Sequence, residues 1–213
     1  MPVLTEDRRA GTIQPPPPEP PGWGGDDSSG SGASSFPISK GQIGLWILLT
    51  AIVMMFAGLT SAYVVLRGVP AWQTIELPSM LWPNTAILLL SSVAIEISRR
   101  AVRRSDLQSM KRWLALGGLL GLAFLIGQLA AWRQLLNAGV YLPSTLQSSF
   151  FYILSGLHGV HLFGGVVALG VVMVKAIRHR LTPSDHEPLK LCTMYWHVMD
   201  ALWIYLFLLL LLS

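Results

Sequence analysis

The sequence predicts an all-α integral membrane protein: a bundle of five transmembrane helices, with the N-terminus cytoplasmic and the C-terminus periplasmic. Three observations predict it. Apolar residues make up 52% of the 213-residue chain and charged residues only 12%, half the charged share of an ordinary soluble domain; the mean hydropathy is +0.53. The apolar residues fall into five runs, each long enough to cross a hydrocarbon core of about 30 Å as a helix. The basic residues gather between alternate runs instead of covering one face. That distribution argues against a charged cytosolic enzyme, and against a nucleic-acid-binding module despite a pI near 9.5. The single cysteine, Cys192, excludes an intrachain disulfide framework, a thiolate zinc site and a four-cysteine iron–sulfur cluster.

Residues 1–38 form the first element, a tail that differs in kind from the rest. It holds Pro15 to Pro18, Pro20 and Pro21, then a stretch rich in Gly, Ser and Asp from Gly22 to Ser35. Such a composition buries too little apolar surface to offset chain entropy. The expectation is a disordered tail with a polyproline II stretch, with a Pro-rich docking segment as the alternative. Arg8-Arg9 is followed by prolines and polar residues rather than an apolar core, so neither a secretory nor a twin-arginine signal is expected.

The transmembrane domain then occupies residues 39–213. Ile43 to Leu66 is 24 residues without Asp, Glu, Lys or Arg, and Met80 to Ser98 is 19 residues with only Glu96. Trp113 to Trp132 is 20 residues without a charge. Ser149 to Val174 is 26 residues with two histidines, and Leu191 to Leu212 is 22 residues with His197 and Asp200. None alternates polar and apolar as a barrel strand would. Trp46, Trp82, Trp113, Trp132 and Tyr195-Trp196 sit near run ends, where interfacial aromatics are expected. Counting basic residues sets the orientation. Arg8, Arg9 and Lys40 precede the first run, six Lys or Arg lie between the second and third, and four lie between the fourth and fifth. Those thirteen fall on one side, leaving Arg67 and Arg133 on the other, so the N-terminus is placed in the cytoplasm.

Ionisable groups inside hydrocarbon are costly and mark a pair, a path or an interface. Helical rise places Asp200 and His161 at similar depths and Glu96 close to His197. Spacing puts His158, His161, Gly165 and Ala168 on one stripe of the fourth helix, and Trp196, His197, Asp200 and Phe207 on one face of the fifth. The expectation is that these faces meet, with carboxylates and imidazoles paired across helices: a structural polar network of Glu96, His158, His161, His197 and Asp200, with neither catalytic nor metal-binding residues. A haem held by His161 and His197 is the alternative. Against it, His158 and His161 crowd one turn, Asp200 is better explained as a partner of imidazole, and no second pair of stacked histidines exists. Arg67 reads as a snorkelling anchor or a lipid-phosphate contact. Gln128 reads as an interhelical hydrogen bond, and Gly117-x-x-x-Gly121 as a close-packing motif.

Four stretches carry a family resemblance. They are Met54 to Tyr63 (MMFAGLTSAY), Trp82-Pro83-Asn84-Thr85 with Leu88 to Ser92, Gly156-Leu157-His158-Gly159-Val160-His161, and Tyr195-Trp196-His197-Val198-Met199-Asp200-Ala201-Leu202-Trp203. Over residues 40–213 the chain resembles subunit III of the haem-copper cytochrome c oxidases, in the short five-helix bacterial form. The resemblance implies a non-catalytic core subunit of the bacterial inner membrane. Its partners would be subunit I, which carries the haems and the oxygen-reducing copper, and subunit II, which carries the cytochrome c docking copper. It would hold phospholipid, support proton uptake and sustain turnover, with no cofactor of its own. Subunit III of a quinol oxidase and the accessory subunit of nitric oxide reductase remain open within the family. A dihaem b-type anchor and a small transporter remain open outside it, the latter disfavoured by the lack of an evident internal repeat. Many members bear a glutamate at the position matching Ile52. The expectation is that Glu96 takes its place as a buried acid partnering His197.

Overall fold

The structure, a computed structural model, describes residues 39–70, 72, 77–142, 144–178 and 187–212. The tail expected over 1–38 lies outside these. Five α-helices account for almost all of the described chain: α1 (Lys40–Leu66), α2 (Leu81–Arg103), α3 (Leu107–Asn137), α4 (Leu146–Ile177) and α5 (Glu187–Leu211). All five are long and apolar enough to span a bilayer.

The helices outrun the apolar segments that predict them. α3 and α4 contain 31 and 32 residues, about 46 Å at 1.5 Å per residue, and reach through the headgroup layer. Arg99, Arg100 and Arg103 continue α2, Lys111 and Arg112 lie in α3, and Lys175 lies in α4. Backbone hydrogen bonding does not stop where hydrocarbon ends, and Lys and Arg are good helix formers.

Helix starts follow local chemistry. Ser39, Asp106 and Thr145 each accept a backbone N–H from the residue three ahead, which satisfies one orphan donor. Thr145 and Ser148 do so reciprocally as a capping box. Pro83 stands in the first turn of α2, where no intrahelical donor is lost. Between α2 and α3 the chain reverses at Ser105, whose φ is 58°. The Ser105 and Asp106 amides there return to the carbonyls of Val102 and Ala101. After α3, Gly139 takes the same left-handed region with φ 79°, at no Cβ cost.

Helices α2, α3, α4 and α5 close a ring: α2 packs on α3, α3 on α4, α4 on α5, and α5 back on α2. α1 stands outside, against α4 and α5 only, and the described residues show no packing between α1 and α2. α1 buries one stripe, Leu49, Ile52, Phe56, Thr60 and Tyr63, at helical spacing.

Small residues let the ring close. A Cβ on Gly117 would stand 2.6 Å from Ile95 Cγ1, and one on Gly121 would stand 2.6 Å from Trp196 Cη2. Gly117-x-x-x-Gly121 is thus a notched face of α3 that receives one side chain from α2 and one from α5. Trp196 is fully buried and touches the positions of Gly121 on α3 and Gly165 on α4. The sequence placed it among the interfacial aromatics. It is instead the centre of the ring, because rotation about α5 turns residue 196 toward Ser91 on α2, Gly121 on α3 and Gly165 on α4. Trp46, Trp82 and Trp113 do sit exposed.

Candidate functional site

The polar side chains within the spans concentrate along the seam between α2 and α5. Because α2 and α5 run antiparallel, residue numbers descend on one as they rise on the other. At one end Trp82 and Phe207 meet edge to face with centroids 5.0 Å apart. Next, Trp203 Nε1 donates to Thr85 Oγ1 at 3.1 Å, and Thr85 donates back to Leu81 O at 2.8 Å. Further along, Trp196 Nε1 donates to Ser91 Oγ at 3.0 Å, and Ser91 donates to Leu88 O at 2.7 Å. Each indole N–H therefore ends on a hydroxyl that is itself satisfied, as a buried polar group requires.

One turn further lies the ionisable cluster. Ser92 Oγ and His197 Nδ1 are 2.7 Å apart. His197 Nε2 stands 3.7 Å from Glu96 Oε2. Arg99 grips the Glu96 carboxylate with two hydrogen bonds of 2.8 Å, and Arg100 Nε adds a third at 3.0 Å. The i,i+3 and i,i+4 spacing of Glu96 with Arg99 and Arg100 puts all three on one helix face, a pairing already encoded in the sequence.

Asp200 is buried, with neither carboxylate oxygen hydrogen-bonded. It comes four residues after Trp196 and so looks toward α2, where Ser92 lies beside it. This corrects the expected pairing of Asp200 with an imidazole. Toward α4, α5 instead presents Tyr195 and Trp196 at Gly165 and Trp203 at His158.

His158 is fully buried on α4 with neither ring nitrogen hydrogen-bonded. Its ring lies 5.0 Å from Trp203 at a tilt of 33°, and meets Phe124 edge-on at 6.1 Å. His161 is half-buried on the α1 side. Its Nδ1 stands 2.7 Å from Leu157 O of its own helix, and its ring meets Phe56 at 6.0 Å. Tyr195 OH donates to His161 O at 2.8 Å. The stripes of α4 and α5 thus meet through aromatic and backbone contacts, and among the described residues the imidazole–carboxylate approach lies between α5 and α2.

His161 and His197 fall on different flanks of α5, one toward α1 and the other toward α2. The geometry does not bring them together as a ligand pair, and among the described residues no three His, Cys, Asp or Glu side chains are grouped to hold a metal. His197 is also 44% exposed, at the lip of the face that the sequence assigned it. Ile52 is buried on α1. Because α1 and α2 do not pack, Glu96 stands near His197 without occupying the place of residue 52. Arg67 caps the C-terminus of α1 through its backbone N–H and is exposed.

Gln128 accepts from Asn84 Nδ2 at 3.3 Å, joining α2 to α3. A Cβ on Gly127 would collide with Asn84 Oδ1, so that glycine makes room for the pair. Trp132 Nε1 donates to Ser155 Oγ at 3.1 Å, joining α3 to α4. Two apolar grooves flank α1. One of about 610 Å³ runs between α1 and α5, lined by Phe56, Thr60, Ser61, Leu202 and Tyr205. The other, about 290 Å³, lies among α1, α4 and α5 beside Gly164, Gly165, Cys192 and Tyr195.

Comparison with known proteins places this arrangement. A family described as cytochrome c oxidase subunit III matches residues 25–212. A probable cytochrome c oxidase subunit 3 of Mycobacterium tuberculosis (strain ATCC 25618 / H37Rv) is 31% identical over 171 residues, covering 78% of this chain and 84% of the relative. The cytochrome c oxidase subunit 3 of Corynebacterium diphtheriae is 32% identical over 174 residues, covering 78% and 84%. That of Thermostichus vulcanus is 32% identical over 176 residues, covering 79% and 85%. With five apolar helices and the matched length together, this chain belongs to the cytochrome c oxidase subunit III family.

Proposed function

We propose that this chain is the non-catalytic third subunit of a haem-copper terminal oxidase that takes electrons from cytochrome c. In this reading it packs on subunit I beside subunit II in a bacterial inner membrane, with phospholipid in the grooves flanking α1. It supports proton uptake and sustained turnover without a redox centre of its own. The observation that carries the reading is the family match over residues 25–212. The printed names of the relatives, all cytochrome c oxidase subunits, support the electron donor. The embedded polar groups support a scaffold, since most join one helix to another: Trp196 to Ser91, Trp203 to Thr85, Asn84 to Gln128, and Tyr195 to His161.

The Arg-rich end of α2 and its turn into α3 face the cytoplasm in this reading, and Arg67, at the opposite membrane surface, anchors α1 or meets a lipid phosphate. The test is purification of the tagged chain in mild detergent. Recovery with stoichiometric haem- and copper-bearing chains is expected, together with oxygen consumption on reduced cytochrome c. A chain that purifies alone, or that carries haem itself, overturns the proposal.

A further inference from the structure

The side chains that meet the bilayer are apolar over most of the bundle. Along α4 they are Val160, Phe163, Val167, Val171 and Val174, and along α3 Leu119, Leu122, Ile126 and Leu129. Such faces are at home against lipid tails. The face shared by α2 and α5 differs. Trp82, Leu89, Val93, Glu96 and Arg100 recur at helical spacing on one lip, and His197, Ala201, Ile204 and Leu208 on the other. Glu96 lies one turn inside Arg99, where the charged end of α2 begins, and His197 about 9 Å inside Leu191, the first residue of the apolar run of α5. His197 is 44% exposed and Glu96 20% exposed at that depth. His161, the other incompletely buried histidine among the described residues, sits against Phe56 with Nδ1 already bonded to its own helix.

An imidazole and a carboxylate at this depth are poorly matched to hydrocarbon, and side chains of this kind normally face protein. The local hydrogen bonds do not remove the mismatch. His197 Nε2 is 3.7 Å from Glu96, beyond hydrogen-bond reach. Two guanidinium groups surround one carboxylate, and Arg100 remains 68% exposed. The two guanidinium groups thus hold the Glu96 carboxylate from the charged end of α2, and His197 Nε2 is the polar atom the face presents further in. Ala86 and Ala201 sit between the larger residues of the two lips, where small side chains let another backbone approach.

We infer that the α2–α5 face is the surface on which the partner membrane subunit packs, through a transmembrane helix that offers a hydrogen-bond acceptor at the depth of His197 and Glu96. This rests on the reading of the chain as an oxidase subunit and adds the face it uses. The outer face of α4 is left to lipid.

The test uses the whole complex in its native membrane. A photoreactive residue is placed at Val93 or Ala201 on the proposed face, and at Val167 or Val171 on α4. After irradiation, the crosslinked chain is identified by mass spectrometry. Adducts with the haem-bearing chain are expected from positions 93 and 201, at least tenfold above those from 167 and 171. In parallel, H197F should lower the haem recovered per tagged chain several-fold, while H197Q, which keeps a hydrogen-bonding group, recovers most of it. Full haem recovery with crosslinks from α4, or equal crosslinks from both faces, overturns the face and leaves the subunit reading standing. A chain that recovers no haem-bearing partner overturns both.

Discussion

Trp196 on α5 donates its indole N–H to Ser91 Oγ on α2 at 3.0 Å while its ring fills the notch left by Gly121 on α3. One side chain thus fixes the register of three helices. Ser91→Ala strands that N–H in an apolar interior. Interhelical hydrogen bonds in membranes contribute about 0.6 kcal/mol on average and up to about 1.7. A double-mutant cycle of S91A with W196F, read by thermal unfolding in detergent, should return a coupling near the upper figure. Strict additivity would show that the bond contributes nothing.

The notch itself is open to test. Gly121→Ala drives a methyl against a fully buried, rigid ring and should cost about 1–3 kcal/mol, as overpacking does. Gly118, next to Gly117 on α3, has nothing within 4 Å of an added Cβ. Gly118→Ala should be neutral or stabilising by up to about 1 kcal/mol through helix propensity. Equal melting temperatures for the two variants would contradict the packing described.

Two left-handed residues make a matched pair. Ser105 sits at φ 58° and Gly139 at φ 79°. A Cβ in that region costs roughly 1 kcal/mol, and removing it is offset in part by the entropy glycine adds to the unfolded chain. Ser105→Gly should stabilise by about 0.5 kcal/mol, and Gly139→Ala should destabilise by about 1 kcal/mol. Chemical unfolding of the detergent-solubilised protein measures both.

Glu96→Gln removes the charge that Arg99 and Arg100 share. Hydrogen bonds to charged groups contribute about 1.5–3 kcal/mol when partly shielded from water; with Glu96 20% exposed, about 1.5 kcal/mol is expected. Arg100→Gln, at a mostly exposed position, should cost under about 0.5 kcal/mol. Yield of assembled oxidase and loss of activity during turnover are the second readout, and E96Q should impair at least one of them. Unchanged stability, assembly and turnover would remove Glu96 from any supporting role.

At the start of α3, Asp106 is fully exposed and accepts the Ser109 backbone N–H at 3.0 Å. Hydrogen bonds from Ser109 hold its carboxyl below the usual carboxylate value. A lowered folded value means that the cap stabilises the helix above the ordinary carboxylate range. That contribution fades as the pH falls through the folded value. Asp106→Asn keeps the cap but loses this acid sensitivity, whereas Asp106→Ala loses the cap at every pH. Hydrogen exchange of the first α3 amides across an acid titration distinguishes the three proteins.

The five spans were legible in the sequence because hydrocarbon imposes one rule on every residue that crosses it. Helix ends were less so: the stretches Arg99 to Arg103 and Gln134 to Asn137 mix polar and apolar residues, interrupt the apolar runs, and are helical all the same. In the site, axial rise alone predicted that Glu96 and His197 stand level, and they do approach. The partner of Asp200 was a question of rotation about α5. Rotation depends on which neighbour lies on each side, and neither α1's place outside the ring nor the return of α5 to α2 is written in hydropathy. Trp196 and Trp203 were misread or passed over for the same cause. An indole at a membrane surface and one reaching a serine on the next helix look alike in one dimension.

The placement of α1 has a consequence for biogenesis. Of the five helices this one comes first in the chain, yet its packing partners are α4 and α5, the last two of the five. More than a hundred residues separate the end of α1 from the end of α4, so α1 is complete in sequence long before the surface it packs on. The four later helices pack on one another without it, so the flank of α4 and α5 that receives α1 is built independently of the helix that comes to lie on it.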